Sequence, residues 1–337
     1  MPKKIIVPSC DCCDAFSRRS FLKTAAAATV LLPFGSVVEA ADKLKKPVPA
    51  ETLVTQLYKS LNEKQRGEIC FPFGHELQSK VNNAWYITKS KIEGMDREQQ
   101  ELIREIFIGL HSEEYAKTVL EAVEHDNGEK GFGDCSIALF GEPGNGKFEF
   151  VFTGRHVTRR CDGDSVEGAA FGGPIFYGHA VKDTEDAGHP GNIYWRQGKR
   201  ANDVFHALDG KERSLALIDK APAENKINLQ GPGGTFPGVA IGELSADKKE
   251  LVRSVMHDLL SPYRPSDAKE VMAEIDANGG LDKVHLSFYK QDALGKDGTW
   301  DIWRLEGPSL VWHFRGAPHV HTWVNVAKDP KASDGHI

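Results

Sequence analysis

Apolar residues recur every three to four positions in the first third of the chain, which is the spacing of one face of a helix. Leu53, Leu57 and Leu61 form the first such stripe. A further helix is predicted to begin at Asp96, which can cap it, with Gln99 at the capping-box distance. The helices predicted in this way span 51–61, 96–110, 112–125, 199–208, 245–260 and 266–277.

The last fifty residues alternate apolar with polar side chains instead, which is the period of a β-strand. Turn residues such as Gly307 separate four such runs, and this arrangement predicts an antiparallel meander. A hairpin is predicted earlier, where 136–140 and 148–153 flank a turn that contains Pro and Gly, and a short strand is predicted over 83–88. The four strands of the meander span 284–291, 299–306, 309–315 and 319–327.

Helices grouped early and strands grouped late predict the α+β class. We expect the N-terminal helices, the hairpin-containing middle and the C-terminal meander to form one mixed domain over 41–337. Residues 221–240 are rich in Pro and Gly and predict a long loop, which in compact domains often carries function.

A nucleotide-binding P-loop is suggested and then disfavoured by the turn of the hairpin. Gly141, Gly146 and Lys147 match most of the motif, but Phe148 follows where a Ser or Thr would hold Mg²⁺. A helix must also follow the loop, whereas the next residues alternate like a strand. We therefore interpret this stretch as a hairpin turn.

The first 40 residues predict a twin-arginine (Tat) signal peptide. Arg18 and Arg19 precede an apolar run of about a dozen residues, too short to span a membrane, and Val38-Glu39-Ala40 offers small residues for cleavage. An uncleaved membrane anchor is the alternative. Export through the Tat machinery would place the mature chain, free of the membrane, in the periplasm or outside the cell. Because Tat exports folded proteins, a cofactor inserted before export becomes a stronger expectation.

Composition excludes some classes of function. The chain has 337 residues, 40% of them hydrophobic, and a net charge of -6, so a globular core is expected and a nucleic-acid partner is not. Of its six cysteines, Cys70, Cys135 and Cys161 lie beyond the signal. An odd number leaves room for one disulfide at most, or for a thiol near the site at Cys161.

Histidines in the meander predict a metal site. His319 and His321 are two residues apart, so both imidazoles face one side of a strand and can reach one ion. His313 on the preceding strand could approach them across the ladder. His156, at the end of the hairpin strand, could supply a ligand from a separate segment. Surface histidines on a sheet edge are the alternative.

Basic residues beside His156 predict a site for an anion. Arg155, Arg159 and Arg160 could clamp the carboxylate or phosphate of a small substrate, although local ion pairs with nearby aspartates would equally account for them. His179 lies in a glycine-containing stretch where a backbone can approach a ligand closely, and it is a further candidate for substrate binding.

With these residues in place, the chain resembles the bacterial proteins grouped as domain of unknown function 3500. The resemblance covers residues 60–330 and is carried by ordered stretches of sequence. These are NAWYI, GMDREQQELI, SEEYAKTVLEAVE, a strand ending in GRH, GGPIFYGHA and EGPSLVWHFRGAPHVHTWV.

The chain also departs from the pattern of the family that it resembles. The hairpin strand of the family ends in Gly-His-His, whereas here Arg155 precedes His156. The family carries an acidic residue at the position of His313, followed by a His-x-His that matches His319 and His321. The resemblance thus implies a divergent member with histidines on the same two segments, and it implies no substrate.

Three kinds of function remain open. One divalent metal ion bound by these histidines would make the chain an exported metalloenzyme, with zinc and hydrolysis favoured, or iron or copper and oxidation as the alternative. The second possibility is a protein that binds a metal or an anionic ligand without turnover. The third is a protein that binds no metal and works through its surface.

Overall fold

One mixed sheet of eleven strands organises the residues that the structure describes, and its elements are numbered in chain order. The computed structural model describes residues 48–180, 193–290 and 299–333. The strands are β1 (Cys70–Phe71), β2 (Ser136–Gly141), β3 (Phe148–Gly154), β4 (Val157–Cys161), β5 (Ile175–His179), β6 (Leu217–Ile218), β7 (Val239–Ala240), β8 (His285–Tyr289), β9 (Ile302–Gly307), β10 (Leu310–Arg315) and β11 (Val320–Val326).

The α-helices of the described residues are partly those that apolar spacing predicts. The helices are α1 (Ala50–Ser60), α2 (Glu63–Ile69), α3 (Arg97–Gly109), α4 (Ala116–Asp126), α5 (Trp195–Ala207), α6 (Gly210–Ala216), α7 (Ala246–Leu260), α8 (Pro265–Asp276) and α9 (Pro330–Ser333). The capping box of Asp96 and Gln99 at the start of α3 is confirmed. Sequence spacing missed α2 and α6, because each has only seven residues and therefore shows no repeating stripe.

The sheet joins the predicted hairpin and the predicted meander into one surface. Its strand order is β1-β2-β3-β4-β5-β11-β10-β9-β8-β6, with β7 against β8. All neighbours are antiparallel except β1 with β2 and β6 with β8. The α+β class, the hairpin of β2 and β3 and the meander of β8 to β11 are confirmed.

The strand predicted over 83–88 is wrong. Only an isolated bridge between Ala84 and Arg155 forms there. The backbone NH of Ile87 donates to the side-chain hydroxyl oxygen of Thr153 on β3 rather than to a backbone carbonyl of that strand. This segment covers the sheet instead of extending it.

Alternation along each strand divides the core between two faces of the sheet. On β3, Phe150 and Phe152 pack with α1, α3 and α4, whereas Val151 packs on the opposite side with Ile87 and Phe140. We call the first side the helix face and the second the loop face. On the loop face Ile227 and Leu229, from the long loop predicted over 221–240, pack against the sheet.

The predictions of a signal peptide and of a possible disulfide have different outcomes. The predicted signal peptide, residues 1–40, lies outside the described residues. None of the described helices has the length and apolar character needed to cross a membrane. Cys70, Cys135 and Cys161 are free thiols, so no disulfide joins the three cysteines that the structure describes.

We expect Phe150→Ala to lower the free energy of unfolding by about 3–5 kcal/mol, because the side chain is fully buried and its removal leaves a cavity. Phe73→Ala is the matched control. Phe73 is 36% exposed, so we expect its loss to change the free energy by less than about 1 kcal/mol. Urea denaturation measures both. Equal destabilisation by the two variants would contradict the assignment of the core.

Candidate metal centre

A tight turn between β3 and β4 presents His156 to the loop face. Its φ is 60°, a left-handed conformation that is uncommon outside glycine. Two backbone hydrogen bonds hold it: the NH of His156 donates to the carbonyl of Asn83 (2.7 Å), and its carbonyl accepts from the NH of Gly178 (3.1 Å). Strained residues persist only where the surroundings fix them in this way, and they concentrate at functional sites.

Strand β11 supplies the other two imidazoles. His319 immediately precedes the strand and His321 is its second residue, so both lie on the same face, as predicted. On one side of β11, His321 is paired with Gly178 of β5. The turn that carries His156 is bonded to the same Gly178, so the pairing of β5 with β11 brings the two segments together.

His156, His319 and His321 form the one cluster of potential metal ligands found among the described residues, and we call it the triad. Their nearest nitrogen atoms all lie within 4.8 Å of one another. The Nε2 atoms of His319 and His321 are 3.0 Å apart. In tetrahedral geometry, two nitrogen atoms that each lie about 2.0–2.1 Å from one ion are about 3.4 Å apart. Small movements of the imidazole rings therefore suffice for binding.

Each of the two buried imidazoles is oriented by a carboxylate. His156 Nδ1 lies 3.0 Å from Asp126 Oδ2, and His321 Nδ1 lies 3.1 Å from Glu224 Oε2. An ionised carboxylate only accepts, so each Nδ1 carries the proton and each Nε2 presents a lone pair. A carboxylate behind a histidine in this way is the usual support of a metal ligand.

Both carboxylates are held in their ionised form. Burial alone would raise the pKa of Asp126, but the hydrogen bond from His156 and the proximity of His179 outweigh it, and the pKa is lowered. Burial acts the same way on Glu224, yet the hydrogen bond from His321 and the charge of Arg315 lower its pKa to about 2.

Two of the three imidazoles, those of His319 and His321, are neutral at neutral pH. Burial lowers the pKa of His319 to about 4, and the neighbouring His321 and His156 add to the effect. Burial also lowers the pKa of His321, which the hydrogen bond to Glu224 partly offsets. A metal ligand must be deprotonated, so these two histidines are ready to bind. His156 and His321 are buried and His319 is half-buried, which leaves one side of the triad open.

Two predicted histidines lie outside the triad. His179 is on the helix face of β5, where its Nδ1 lies 3.2 Å from Asp126 Oδ1 but out of line for a hydrogen bond. It supports Asp126 rather than a substrate. His313 is paired across the ladder with Trp323, and Arg315 takes the place opposite His321. The predicted approach of His313 to the pair is therefore not formed.

The three predicted arginines go to three different places because successive residues of a strand face opposite sides. Arg155 is exposed beside His156. Arg159 is buried on the helix face, where it donates to His111 Nε2 (3.2 Å) and to the carbonyl of Phe176 (2.7 Å).

Arg160 is buried on the loop face and serves the scaffold. It pairs with Glu149 at 2.6 Å, and it donates to the backbone carbonyls of Pro174 and Lys80. Burial raises the pKa of Glu149 to about 7 against the opposing effect of Arg160. Neither Arg159 nor Arg160 is brought to the triad, so their substrate role stays a prediction without a supporting contact.

Sequence reasoning missed Asp126, Glu224 and Arg315. Asp126 ends the helix predicted to stop at residue 125, and it lies 30 positions from the histidine it orients. Glu224 lies in the predicted long loop, 97 positions from His321. The Pro- and Gly-rich composition of that loop was the one available signal, and it pointed to function without naming a residue.

Comparison with known protein families finds a match over most of the chain. The family described as "Protein of unknown function (DUF3500)" matches residues 47–334, which include the triad and both carboxylates. No curated protein and no solved structure matches the chain.

We expect Asp126→Asn to weaken zinc binding by about 10- to 100-fold, because the amide no longer fixes the tautomer of His156. Glu124→Gln is the matched control: it lies on the same helix and its carboxylate pairs with Arg104 at the surface. Competition with a chromophoric chelator measures both affinities. An unchanged affinity in Asp126→Asn would contradict the role of Asp126 as the support of a metal ligand.

Stability should also depend on pH through His111. Burial, together with the charge of Arg159, lowers the pKa of His111 to about 3. Below pH ~6.5 the unfolded chain therefore binds a proton at this imidazole that the folded chain does not bind. The contribution of His111 to the free energy of unfolding is complete above pH ~6.5 and is lost as the pH falls toward 3. We expect His111→Gln to flatten the fall in unfolding free energy between these limits. The exposed His206, changed to Gln, should leave that slope unaltered.

Proposed function

Since the chain belongs to the DUF3500 family, whose function is unknown, we propose a function from the triad itself: the protein is a metal-dependent enzyme, and a hydrolase in the first place. The observation that carries this proposal is the arrangement of three histidines, two of them buried and backed by ionised carboxylates. Three nitrogen ligands leave a coordination position open for water or substrate, which is typical of catalytic rather than structural zinc.

Zinc is the favoured ion. It supplies an activated water at neutral pH and polarises a substrate carbonyl or phosphoryl oxygen. Residues of the chain would contribute in two ways. Asp126 and Glu224 orient two of the imidazoles. The half-buried His319 lies at the open side, where a substrate would enter. Of the three predicted arginines, only Arg155 is exposed near this opening, so it alone keeps a proposed role in binding a small anionic substrate.

Oxidation with iron or copper is the second candidate, since a three-nitrogen site with open positions also suits oxygen chemistry. A protein that binds a metal without turnover is the third. A cavity next to the triad, lined in part by Glu224, favours an enzyme over simple storage of an ion. We further propose export in folded form by the twin-arginine route to the periplasm or beyond, on the pattern of residues 1–40.

Changing His319 and His321 together to Ala should abolish metal binding while the protein stays folded, because the scaffold of β11 depends on its apolar face. The test is elemental analysis of the mature protein, produced without a histidine tag, beside this variant. We expect about one metal ion per chain in the wild type and none in the variant. The element then separates the two chemistries: zinc supports hydrolysis, and iron or copper supports oxidation.

The control is His206→Ala/His257→Ala, which removes two exposed histidines from helices α5 and α7. Its metal content should equal that of the wild type. Equal metal content in the triad variant would refute the site, and absence of metal from the wild type even after reconstitution would refute the metalloenzyme.

A further inference from the structure

A cavity of about 590 Å³ lies on the loop face beside the triad. Pockets for small molecules typically enclose 300–1,000 Å³. Its walls come from the long loop, from the ends of β9 and β10 and from the turn before β11. The lining residues are Lys220, Ala221, Pro222, Ala223, Glu224, Ile302, His313, Arg315, Ala317 and Pro318.

Strand register fixes how close this cavity lies to the triad. Arg315 of β10 is paired with His321 on one side and with Ile302 of β9 on the other. Paired residues of neighbouring strands lie about 5 Å apart, so Arg315 is the immediate neighbour of a proposed ligand. Glu224 joins the two regions, because one of its oxygens contacts His321 and the other lies 3.2 Å from Arg315 Nη1.

Donor groups in the cavity wall are left without partners. The Nε and Nη2 atoms of Arg315 are buried and have no hydrogen-bond partner in the part of the chain that the structure describes. These two atoms share one edge of the guanidinium, while Nη1 serves Glu224. His313 is 1% exposed, and its buried Nδ1 is likewise unpartnered. Leaving buried donors of a cation unpaired is costly, so a ligand that pairs them would bind with a favourable free energy.

The other walls define the rest of the ligand. Lys220 is exposed at the rim and makes no ion pair within the described ranges, so it adds positive charge. Glu224 is the acidic residue of the lining, and its charge is taken up by Arg315 and His321. Ile302, the alanines and the prolines are apolar. The cavity thus combines one planar pair of donors with a small apolar chamber.

We propose that this cavity binds the carboxylate group of the substrate, with the Nε and Nη2 edge of Arg315 as a bidentate clamp and His313 as a further donor beneath it. The apolar walls would then hold the body of a small organic acid next to the open side of the triad. This inference rests on the proposed function, since it assigns the substrate class of the same site.

A carboxylate fits better than a phosphate because of its charge. Both groups can accept from the two parallel NH groups of one guanidinium edge. The single charge of a carboxylate suits a wall where Glu224 already neutralises part of Arg315, whereas a phosphate dianion would meet the Glu224 carboxylate with twice the repulsion.

Calorimetric titration of the purified full chain with benzoate tests the assignment, with inorganic phosphate as the second probe. We expect benzoate to bind, and Arg315→Gln to weaken it at least tenfold, about the loss typical of a charge-assisted pair. Arg253→Gln is the matched control, because Arg253 is exposed on helix α7, where it pairs with Glu250, and does not line the cavity. It should leave benzoate affinity unchanged. Lys220→Gln should weaken binding by about two- to threefold, as expected for an exposed charge.

A second variant guards against misfolding of Arg315→Gln. Ile302→Phe keeps every charge and adds bulk beside Arg315, so it should weaken benzoate binding. Unchanged binding in Ile302→Phe, unchanged binding in Arg315→Gln, or no binding by the wild type would each overturn the site. Phosphate binding tighter than benzoate, with the same dependence on Arg315, would overturn the carboxylate assignment.

Each titration is run on zinc-loaded and on metal-free protein, since a carboxylate can also bind zinc directly. Benzoate binding that needs zinc but not Arg315 would overturn the clamp. Elemental analysis of the same samples separates the carboxylate site from the metalloenzyme. If the protein holds zinc but benzoate binding does not depend on Arg315, only the carboxylate site is refuted. If benzoate binding depends on Arg315 but the protein never takes up a metal, only the metalloenzyme is refuted.

Discussion

The antiparallel pairing of β5 with β11 is the constraint on which the rest of the site depends. On one side of this seam lie β2 to β5, from the hairpin region, and on the other lie β8 to β11, from the end of the chain. Because Gly178 of β5 is paired with His321 and also bonded to the turn of His156, one short stretch of ladder sets the distance between both sources of histidine. The triad is therefore a product of topology, and its precision is that of backbone hydrogen bonds.

Buried charge surrounds this seam and gives it rigidity. Arg159 and Arg160 are adjacent in sequence, yet they brace opposite faces of the sheet through backbone carbonyls and through Glu149. Removal of either partner of the Arg160–Glu149 pair would leave an unpaired charge in the interior. This ion pair therefore disfavours any alternative arrangement of β4. Asp126 does the same from helix α4, since it meets His156, His179 and the NH of Ala180 together.

Periodicity predicted the parts of this protein that one local pattern determines. The stripe of α3, the hairpin and the alternation that puts His319 and His321 on one face are all short-range properties of the chain. The sequence also suggested His156 as the third member. It could not show that Arg315, rather than His313, lies opposite His321, because ladder register depends on turn lengths and on packing across the whole sheet. Nor could it find Glu224, whose partner is distant in sequence and reached only when a loop without regular structure folds over the sheet.

The cysteines have a consequence for where the chain can mature. Cys135 and Cys161 are buried among apolar side chains and Cys70 is half-buried, and all three are thiols. A fold in which the described cysteines are unbridged needs no oxidant and no disulfide isomerase to form. Burial also raises the pKa of the Cys70 thiol to about 11, which keeps the reactive thiolate scarce. The described part of the chain can thus complete its fold in a reducing compartment without any covalent cross-link between these cysteines.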